Sequence, residues 1–233
     1  MKAVTLLSGG MDSTTLVYYL RNEGYDVHAL SIYYGQRHIK ELDYARQMCD
    51  RIHVRRNEID LSDVGRLLSK SGSALVDNRV EMPEGHYSEA SMSQTVVPNR
   101  NMMLLSIATA IAVAGGADIV AAAVHAGDHA IYPDCRPMFI EAMNEAATVA
   151  TEGFWMGSIV APFVDKTKAE IAALGAELHV PWELTWSCYK GGQHHCGKCG
   201  TCVERQEAFH IAGVVDPTTY LDPEYWKQAV ANK

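Results

Sequence analysis

Long hydrophobic runs are missing from this sequence of 233 residues. The N-terminal stretch MKAVTLLSGG is apolar over too few residues for a signal peptide, and it ends at two glycines. No segment approaches the roughly 18 consecutive apolar residues that a membrane helix needs. The chain also contains no internal repeat and no low-complexity tract. These absences predict a cytoplasmic protein that does not associate with a membrane.

An excess of positive charge is missing as well. The formal net charge is −8 and the isoelectric point is about 5.6, so the surface as a whole does not attract nucleic acid. We therefore expect no nucleic-acid partner. Apolar residues make up 48% and charged residues 21% of the chain, a balance that is typical of one globular domain with a sizeable core.

The cysteines do not have the scattered distribution that is typical of a disulfide-bonded secreted protein. Four of the six are clustered near the C-terminus. Their spacing is C-x7-C-x2-C-x2-C, formed by Cys188, Cys196, Cys199 and Cys202. Such spacing lets four thiolates surround one tetrahedral ion with no open position, so it predicts a structural Zn²⁺ site. An iron–sulfur cluster and a redox-active dithiol are the alternatives. Cys49 and Cys135 are predicted to be buried apolar residues.

Apolar runs alternate with helical periodicity along the chain. Strands are predicted at 2–7, 27–33, 54–59 and 118–124, and helices at about 11–24, 40–51, 101–114, 141–151 and 166–174. The segment 69–98 has an irregular composition that is typical of a functional loop. The alternation predicts an α/β fold with a parallel, doubly wound sheet. We expect a main domain over 1–187 and a small zinc module with a C-terminal tail packed on it over 188–233.

The string Ser8-Gly9-Gly10-Met11-Asp12-Ser13 lies between the first strand and the first helix. Glycines leave backbone N–H groups accessible to an anion, and the helix start adds the positive end of its dipole. Hydroxyls of Ser8, Ser13 and Thr14 are further donors, and Asp12 is suited to holding the loop or a Mg²⁺ ion. A capped glycine turn is the alternative interpretation. The P-loop and dinucleotide-binding glycine motifs do not occur.

The complete string S-G-G-x-D-S resembles the PP-loop of the N-type ATP pyrophosphatases, which include NAD synthetase, GMP synthase, asparagine synthetase and tRNA-modifying ligases. The resemblance implies that the main domain cleaves ATP between the α- and β-phosphates and transfers adenylate to a substrate oxygen. It also implies an ATP-binding segment made of Ser8, Gly9, Gly10, Met11, Asp12, Ser13, Thr14, Thr15, Leu16, Val17 and Tyr18.

Further strings follow in order along the chain. They are Tyr34-Gly35-Gln36-Arg37-His38, Val97-Pro98-Asn99-Arg100-Asn101, Tyr132-Pro133-Asp134-Cys135-Arg136, Lys168-Ala169-Glu170-Ile171 and Thr185-Trp186-Ser187-Cys188-Tyr189. With C-G-K-C-G-T-C they resemble the 7-cyano-7-deazaguanine synthase family of queuosine biosynthesis, from Leu7 to Tyr220. The resemblance implies a C–N-forming ligase that converts 7-carboxy-7-deazaguanine and ammonia, with ATP, into the nitrile through adenylated intermediates. It also implies a homodimer.

Candidate roles follow for individual residues. Asp12, Arg100 and Lys168 are the candidate catalytic residues. Arg100 and Lys168 are cations that can stabilise polyphosphate charge, and Asp12 can hold the loop or a Mg²⁺ ion. Arg100 as a surface cation and Lys168 as a solvated helix residue are the alternatives. Tyr132 is suited to stacking on the substrate ring and Asp134 to accepting its N–H groups, with Arg136 as a third substrate contact, although Tyr-Pro-Asp also forms turns.

Three further polar residues are candidates for the site, and two residues depart from the family pattern. His125, Asp128 and His129 follow a predicted buried strand, where ligands of α/β sheets bind, so we expect them to contact substrate or metal. Asn99 and Ile131 stand where the family commonly has glycine. Asn adopts a positive φ readily and a β-branched residue does not.

Two other functions are compatible with the sequence. A related PP-loop ligase could activate another carboxylate or a tRNA base, and a non-catalytic nucleotide-binding module could keep the loop without turnover. Both enzymes release pyrophosphate from ATP, whereas the non-catalytic module does not. The acceptor that is consumed distinguishes one enzyme from the other.

Overall fold

A computed structural model describes residues 1–86 and 90–231 of the chain. Five strands form one sheet: β1 Lys2–Leu6, β2 Asp26–Tyr33, β3 Arg55–Asp60, β4 Ile119–Ala121 and β5 Ser158–Val160. Their order is β3-β2-β1-β4-β5, and every neighbouring pair is parallel. The predicted parallel α/β fold is therefore confirmed.

The described helices connect these strands and follow them toward the C-terminus. They are α1 Met11–Asn22, α2 Lys40–Ile52, α3 Ser62–Leu68, α4 Arg100–Gly115, α5 Pro137–Ala150, α6 Lys168–Glu177, α7 Gly200–Ala212 and α8 Tyr225–Ala231. Within the described ranges, none of them combines the length and the apolar character that crossing a membrane requires.

Helices cover both faces of the sheet, which is the doubly wound arrangement. Successive strand residues point to opposite faces, so Ala3 of β1 packs with α1, α2 and α6, whereas Val4 packs with α4 and α5. Leu16, Ile171 and Leu105 are fully buried in these two layers. The apolar character of β1 thus reflects burial between the two helical layers. α4 is apolar nearly throughout, yet it buries only one face, and Met102 on its other face is exposed.

Several boundaries differ from the predicted ones. β4, predicted over 118–124, pairs with β1 on one side and β5 on the other only at Ile119–Ala121. β5, α3, α7 and α8 were not predicted. α5 begins four residues earlier than predicted, at Pro137, which suits the first turn of a helix. α6 begins two residues later than predicted, because Thr167 forms a capping box with Glu170.

The backbone conformation at Asn99 and Ile131, the two departures from the family pattern, follows from the size and branching of their side chains. Asn99, immediately before α4, has a φ of +58°, as the tolerance of Asn for left-handed angles predicted. Ile131 is not among the described non-glycine residues with positive φ. The loop before Tyr132 therefore holds Ile131 without left-handed strain.

The order of the strands creates a crevice at one edge of the sheet. The chain runs outward from β1 through β2 to β3, and then returns to the other side of β1 for β4 and β5. The loops that leave β1 and β4 therefore diverge at the carboxyl ends of these strands. In open α/β sheets this topological switch point is where ligands bind.

Candidate active site and metal site

A cavity of about 230 Å³ opens at the switch point between β1 and β4. Its wall combines the loop after β1, the segment after β4, the start of α4 and α6, and the segment that contains the clustered cysteines. The residues with polar or aromatic side chains in this wall include Ser8, Asp12, Ser13, Tyr34, Gln36, His38, Glu41, Arg100, Asn101, His125, Asp128, Tyr132, Lys168, Trp186, Ser187, Tyr189 and Thr201.

The first turn of α1 presents backbone donors to this cavity. Gly10 is the N-cap in an extended conformation, and no side chain of the described residues caps the helix. The hydroxyls of Ser8 and Ser13 lie 3.0 Å apart beside this turn, and the backbone N–H of Gly10 donates to Ser8 Oγ at 3.2 Å. An uncapped helix start with adjacent hydroxyls is suited to binding a phosphate.

Gly9 fixes the position of this loop. Its φ is +96°, and a Cβ at this position would lie only 2.1 Å from the backbone oxygen of Glu41 in α2. On its other side, the carbonyl of Gly9 accepts a 2.8 Å hydrogen bond from the backbone N–H of Trp186. The loop is therefore held between α2 and the segment that leads into the cysteine cluster, and only glycine fits there.

The predicted ATP-binding segment divides into two parts. Ser8, Gly10, Met11, Asp12 and Ser13 line the cavity. Thr14, Thr15, Leu16 and Val17 are buried within the packed side of α1, and Thr15 Oγ1 donates to the carbonyl of Met11 at 2.8 Å. Tyr18 packs partly buried against two core clusters. Contact with ATP remains a prediction, and the geometry favours the loop and the first turn for it.

Lys168 lies at the centre of a buried charge cluster. Its Nζ is 2.6 Å from Glu204 Oε2 and 3.2 Å from Asp12 Oδ2. Burial by itself lowers the pKa of Lys168, but the carboxylates of Asp12 and Glu204 outweigh it and raise the pKa above its ordinary value. Lys168 is therefore a permanent cation at the cavity rather than a solvated helix residue. Glu204 comes from α7, and the sequence analysis did not identify it.

His125 and Asp128 complete this cluster. The Nδ1 atom of His125 accepts the backbone N–H of Gly127 at 3.1 Å, so its Nε2 faces Asp12 Oδ2 at 3.9 Å and Asp128 Oδ2 at 3.6 Å. The other oxygen of Asp12, Oδ1, is buried without a hydrogen-bond partner among the described residues. An unpartnered carboxylate oxygen beside a phosphate-binding turn suits a Mg²⁺ ion. His129 is outside the cavity lining.

Arg100 projects from the start of α4 between aromatic rings. Its guanidinium carbon is 5.9 Å from the ring centre of Tyr34 and 5.7 Å from that of Tyr132, and its Nη1 donates to the hydroxyl of Tyr34 at 3.4 Å. No carboxylate of the described residues forms an ion pair with it. Arg100 therefore offers its charge to an anion that enters the cavity.

The three predicted substrate contacts are in different places. Tyr132 lines the cavity, and its hydroxyl is 2.5 Å from Thr95 Oγ1. Asp134 lies outside the lining, and its Oδ2 accepts the backbone N–H of Asn101 at 2.9 Å, so it caps the first turn of α4. Arg136 is exposed and donates to the carbonyl of His129 at 2.9 Å. Only Tyr132 lies where it can contact a ligand of this cavity.

Sequence reasoning missed Gln36, His38 and Glu41 as lining residues, although the first two belong to the recognised string after β2. Burial raises the pKa of Glu41 to about 8 and lowers that of His38 to about 3. Cys135, predicted to be buried, also lines the cavity; its thiol accepts from Asn101 Nδ2 at 3.1 Å. Burial raises its pKa far above the ordinary thiol value, which does not suit a nucleophile.

The four clustered cysteines meet as predicted. Their Sγ atoms all lie within 4.8 Å of one another, and those of Cys196 and Cys202 are 3.9 Å apart. A tetrahedral zinc site with bonds of about 2.3 Å places its sulfurs roughly 3.8 Å apart, so the cluster fits such an ion. The backbone N–H groups of Lys198 and Cys199 donate to Cys196 Sγ at 3.4 and 3.2 Å, which stabilises a thiolate.

The cysteine cluster is connected directly to the cavity. α7 begins immediately after Cys199 and carries Glu204, the partner of Lys168. Thr201 Oγ1 donates to the carbonyl of Ser187 at 2.8 Å, and both residues line the cavity. A metal bound by the cysteines would therefore hold one wall of the active site in place.

The model of the family described as "Queuosine biosynthesis protein QueC" matches residues 2–213. This chain belongs to the QueC family. QueC relatives include the 7-cyano-7-deazaguanine synthase of Rhizobium johnstonii, 52% identical over 99% of this chain and 97% of the relative. That of Chelativorans sp. is 52% identical over 100% and 99%. Among solved structures, NMN synthetase from Francisella tularensis superposes with a TM-score of 0.48 and 16% identity, over 99% of this chain and 84% of that one.

Proposed function

We propose that the chain is an ATP-dependent 7-cyano-7-deazaguanine synthase, a ligase that makes the nitrile from 7-carboxy-7-deazaguanine and ammonia. The observation that carries this proposal is the convergence, in one cavity, of the uncapped start of α1, the fixed cation Lys168 and the aromatic-lined Arg100. The names of relatives at about half sequence identity over the full chain support the same activity.

The loop and first turn of α1 bind the phosphates of ATP in this proposal. Backbone N–H groups of the turn and the hydroxyls of Ser8 and Ser13 donate to phosphate oxygens. Asp12, with its unpartnered Oδ1, would hold a Mg²⁺ ion, which would supply positive charge to the polyphosphate. Lys168, anchored by Glu204, adds a second positive charge on the pyrophosphate as it leaves.

The acid binds in the part of the cavity beside the aromatic side chains. Arg100 pairs with its carboxylate or with the α-phosphate, and Tyr132 packs against its ring. This arrangement holds a carboxylate oxygen near the α-phosphorus, and such positioning accounts for much of the acceleration in phosphoryl and adenylyl transfer.

The reaction then proceeds in two activations that balance atom for atom. A carboxylate oxygen attacks the α-phosphorus of ATP and pyrophosphate leaves. Ammonia attacks the acyl adenylate, AMP leaves with the carboxylate oxygen, and one proton is lost, which gives the amide. The amide oxygen attacks the α-phosphorus of a second ATP and a second pyrophosphate leaves. Loss of AMP, which carries the amide oxygen, and of two protons from nitrogen then forms the nitrile.

Further proposals concern the whole chain. The four cysteines hold Zn²⁺ as a structural ion, because four sulfur ligands leave no position for a substrate. Residues 188–233 form the zinc module and a tail packed on the main domain of 1–187. A cytoplasmic homodimer is the proposed working state, on the strength of the family resemblance alone.

Supplying ATP, ammonium and 7-carboxy-7-deazaguanine to the purified protein tests the proposal. We expect the nitrile by mass spectrometry, with AMP and pyrophosphate as the other products. The variant Asp12→Asn should lower pyrophosphate release by a factor of roughly 100 or more, since it weakens both Mg²⁺ binding and the anchor of Lys168. Turnover of ATP only with a different acceptor, or release of ADP, would contradict the proposed function.

A further inference from the structure

Three polar side chains in the cavity wall have no role in the mechanism described so far. Gln36 and His38 follow β2, and Glu41 lies in the first turn of α2. Their exposed fractions are only 2%, 4% and 8%. Burying three hydrogen-bonding side chains together is costly unless each finds a partner, so their arrangement calls for a physical reason.

Gln36 holds the carboxyl group of Glu41 in a defined orientation. The backbone N–H of Tyr34 donates to Gln36 Oε1 at 2.8 Å, which leaves Nε2 as the donor end of the amide. Nε2 donates to the carbonyl of Ile32 and to Glu41 Oε1, both at 3.2 Å. Glu41 is therefore positioned by a side chain whose own orientation is set by the backbone of β2.

The other polar atoms of this cluster have few hydrogen-bond or ion-pair partners among the described residues. Glu41 Oε2 lies 3.4 Å from His38 Nε2, and among the described residues no Lys or Arg forms an ion pair with Glu41. The Nδ1 atom of His38 is buried and has no hydrogen-bond partner in the described part of the chain. A ring nitrogen that is unpartnered in the wall of a cavity points to a ligand that supplies the missing hydrogen bond.

The other carboxylates near the cavity are engaged differently. Asp12 pairs with Lys168 at 3.2 Å and Asp128 lies beside His125. Asp134, the sequence-predicted acceptor for the substrate's N–H groups, caps α4 outside the lining. Glu41 is thus the lining carboxyl group that is placed to accept hydrogen bonds from a neutral ligand.

We propose that Glu41, oriented by Gln36 and assisted by His38, binds the amine-and-lactam edge of the purine-like acid and sets the specificity for it. The inference rests on the proposed function. This edge presents an exocyclic amine and a ring N–H as neighbouring donors, beside a carbonyl acceptor. Burial raises the pKa of Glu41 in the protein alone, and hydrogen bonds from the two donors of this edge lower that pKa and favour the carboxylate form. The carboxylate accepts from both donors, and an imidazole nitrogen of His38 serves either the remaining amine N–H or the carbonyl.

The test compares two acids on the full-length wild-type protein and on Glu41→Gln. One acid is 7-carboxy-7-deazaguanine, and the other is its analogue without the exocyclic amine. We expect the wild-type kcat/KM to favour the amine-bearing acid by roughly 30-fold or more, the value of a hydrogen bond to a charged group. In Glu41→Gln this preference should fall to about threefold or less, while the KM for ATP stays unchanged.

Controls separate a direct contact from a structural effect. Glu141→Gln makes the same chemical change at an exposed position of α5 and should keep the wild-type preference. Should Glu41→Gln fail to fold, Glu41→Asp serves instead: it keeps a carboxyl group one methylene shorter, so both the rate on the amine-bearing acid and the preference should decline. Folding of each variant is checked by thermal unfolding.

The outcomes are distinguishable. A wild-type protein that makes nitrile, with a variant at Glu41 that folds and keeps the full preference, overturns this inference and leaves the proposed function intact. A change confined to the KM for ATP also overturns it, because Glu41 would then contact the adenine. A wild-type protein that makes nitrile from neither acid overturns the proposed function, and the inference with it.

Discussion

At the scale of single residues, the site depends on charges that are fixed by their neighbours. Lys168 is held between Asp12 and Glu204, so its positive charge does not vary over the physiological range of pH. Arg100 is held by aromatic rings and has no carboxylate partner among the described residues. Lys168 therefore contributes to the structure as well as to the charge of the site, whereas the charge of Arg100 is available to an anionic ligand.

Replacing Lys168 tests this distinction. Lys168→Met should lower pyrophosphate release by a factor of about 100 to 1000 and destabilise the fold by about 3 kcal/mol, because Asp12 and Glu204 lose their buried counter-charge. The double variant Lys168→Met, Glu204→Gln should recover stability in urea unfolding without recovering activity. Recovery of both would contradict a direct role for the cation. Lys166→Met, two residues earlier and outside the cavity lining, is the matched control.

Glu41 gives a prediction about pH. Its pKa is raised from 4.5 to about 8, so between these values the folded protein holds a proton that the unfolded chain releases, and stability falls as pH rises. The pKa of His38 is lowered from 6.5 to about 3, so its ionisation changes the stability of the fold only below pH 6.5. Between pH 6.5 and 8, Glu41→Gln should therefore gain about 1.4 kcal/mol per pH unit over the wild type in urea unfolding. A difference independent of pH would contradict the raised pKa.

At the scale of elements, the loop between β1 and α1 is shaped by what surrounds it. Gly9 combines a positive φ with a close approach to the backbone of α2, whereas Gly24 has a similar φ of +82° and open space around it. Gly9→Ala should cost more than 3 kcal/mol of stability, and Gly24→Ala about 1 kcal/mol, since only the first adds a steric clash to the strain. Equal costs in urea unfolding would show that φ alone restricts Gly9.

The elements that sequence could predict were those with a strong local pattern. β1, β2, α2 and α4 are long enough for their periodicity or apolar character to be visible, and the glycine-rich loop has a motif of its own. β5 is three residues long, and α7 begins within the cysteine cluster, so neither shows a clear period. Local pattern also could not reveal that Asp134 turns toward α4, since capping by a distant residue depends on tertiary packing.

Some residues of the candidate site also could not be predicted, because local sequence pattern does not show tertiary contacts. Glu204 meets Lys168 across 36 positions of sequence, and no motif links the two. Gln36 and His38 lie within a string that marks the family, but the string alone does not tell which of its side chains face the cavity. Asp12, Arg100 and Lys168 were predicted because they lie in strings that carry the family resemblance and because charged side chains suit polyphosphate chemistry; all three line the cavity.

At the scale of the whole molecule, the metal site and the cavity form one unit. The cysteines fix the start of α7, α7 supplies Glu204, and the segment before Cys188 binds the carbonyl of Gly9 through Trp186. Loss of the metal should therefore disturb nucleotide binding as well as stability. The segment that carries the four clustered cysteines thus takes a direct part in shaping the cavity.

Removing one metal ligand tests that connection. Wild-type protein should contain about one Zn²⁺ per chain by elemental analysis, and Cys199→Ser should lose both the metal and the folded state, as is usual for structural zinc sites. Cys49→Ala, a buried cysteine outside the cluster, should keep its zinc and cost only about 1 to 2 kcal/mol. Iron in place of zinc, or a well-folded protein without metal, would contradict the assignment.

The central claim is that the loop between β1 and α1 holds ATP so that AMP passes to an oxygen of the acid. The most direct measurement supplies 7-carboxy-7-deazaguanine with an oxygen-18-labelled carboxylate and analyses the released nucleotide by mass spectrometry. We expect the label to appear in the phosphate of AMP, together with unlabelled pyrophosphate. Label that stays out of AMP, or ADP as the nucleotide product, would contradict it.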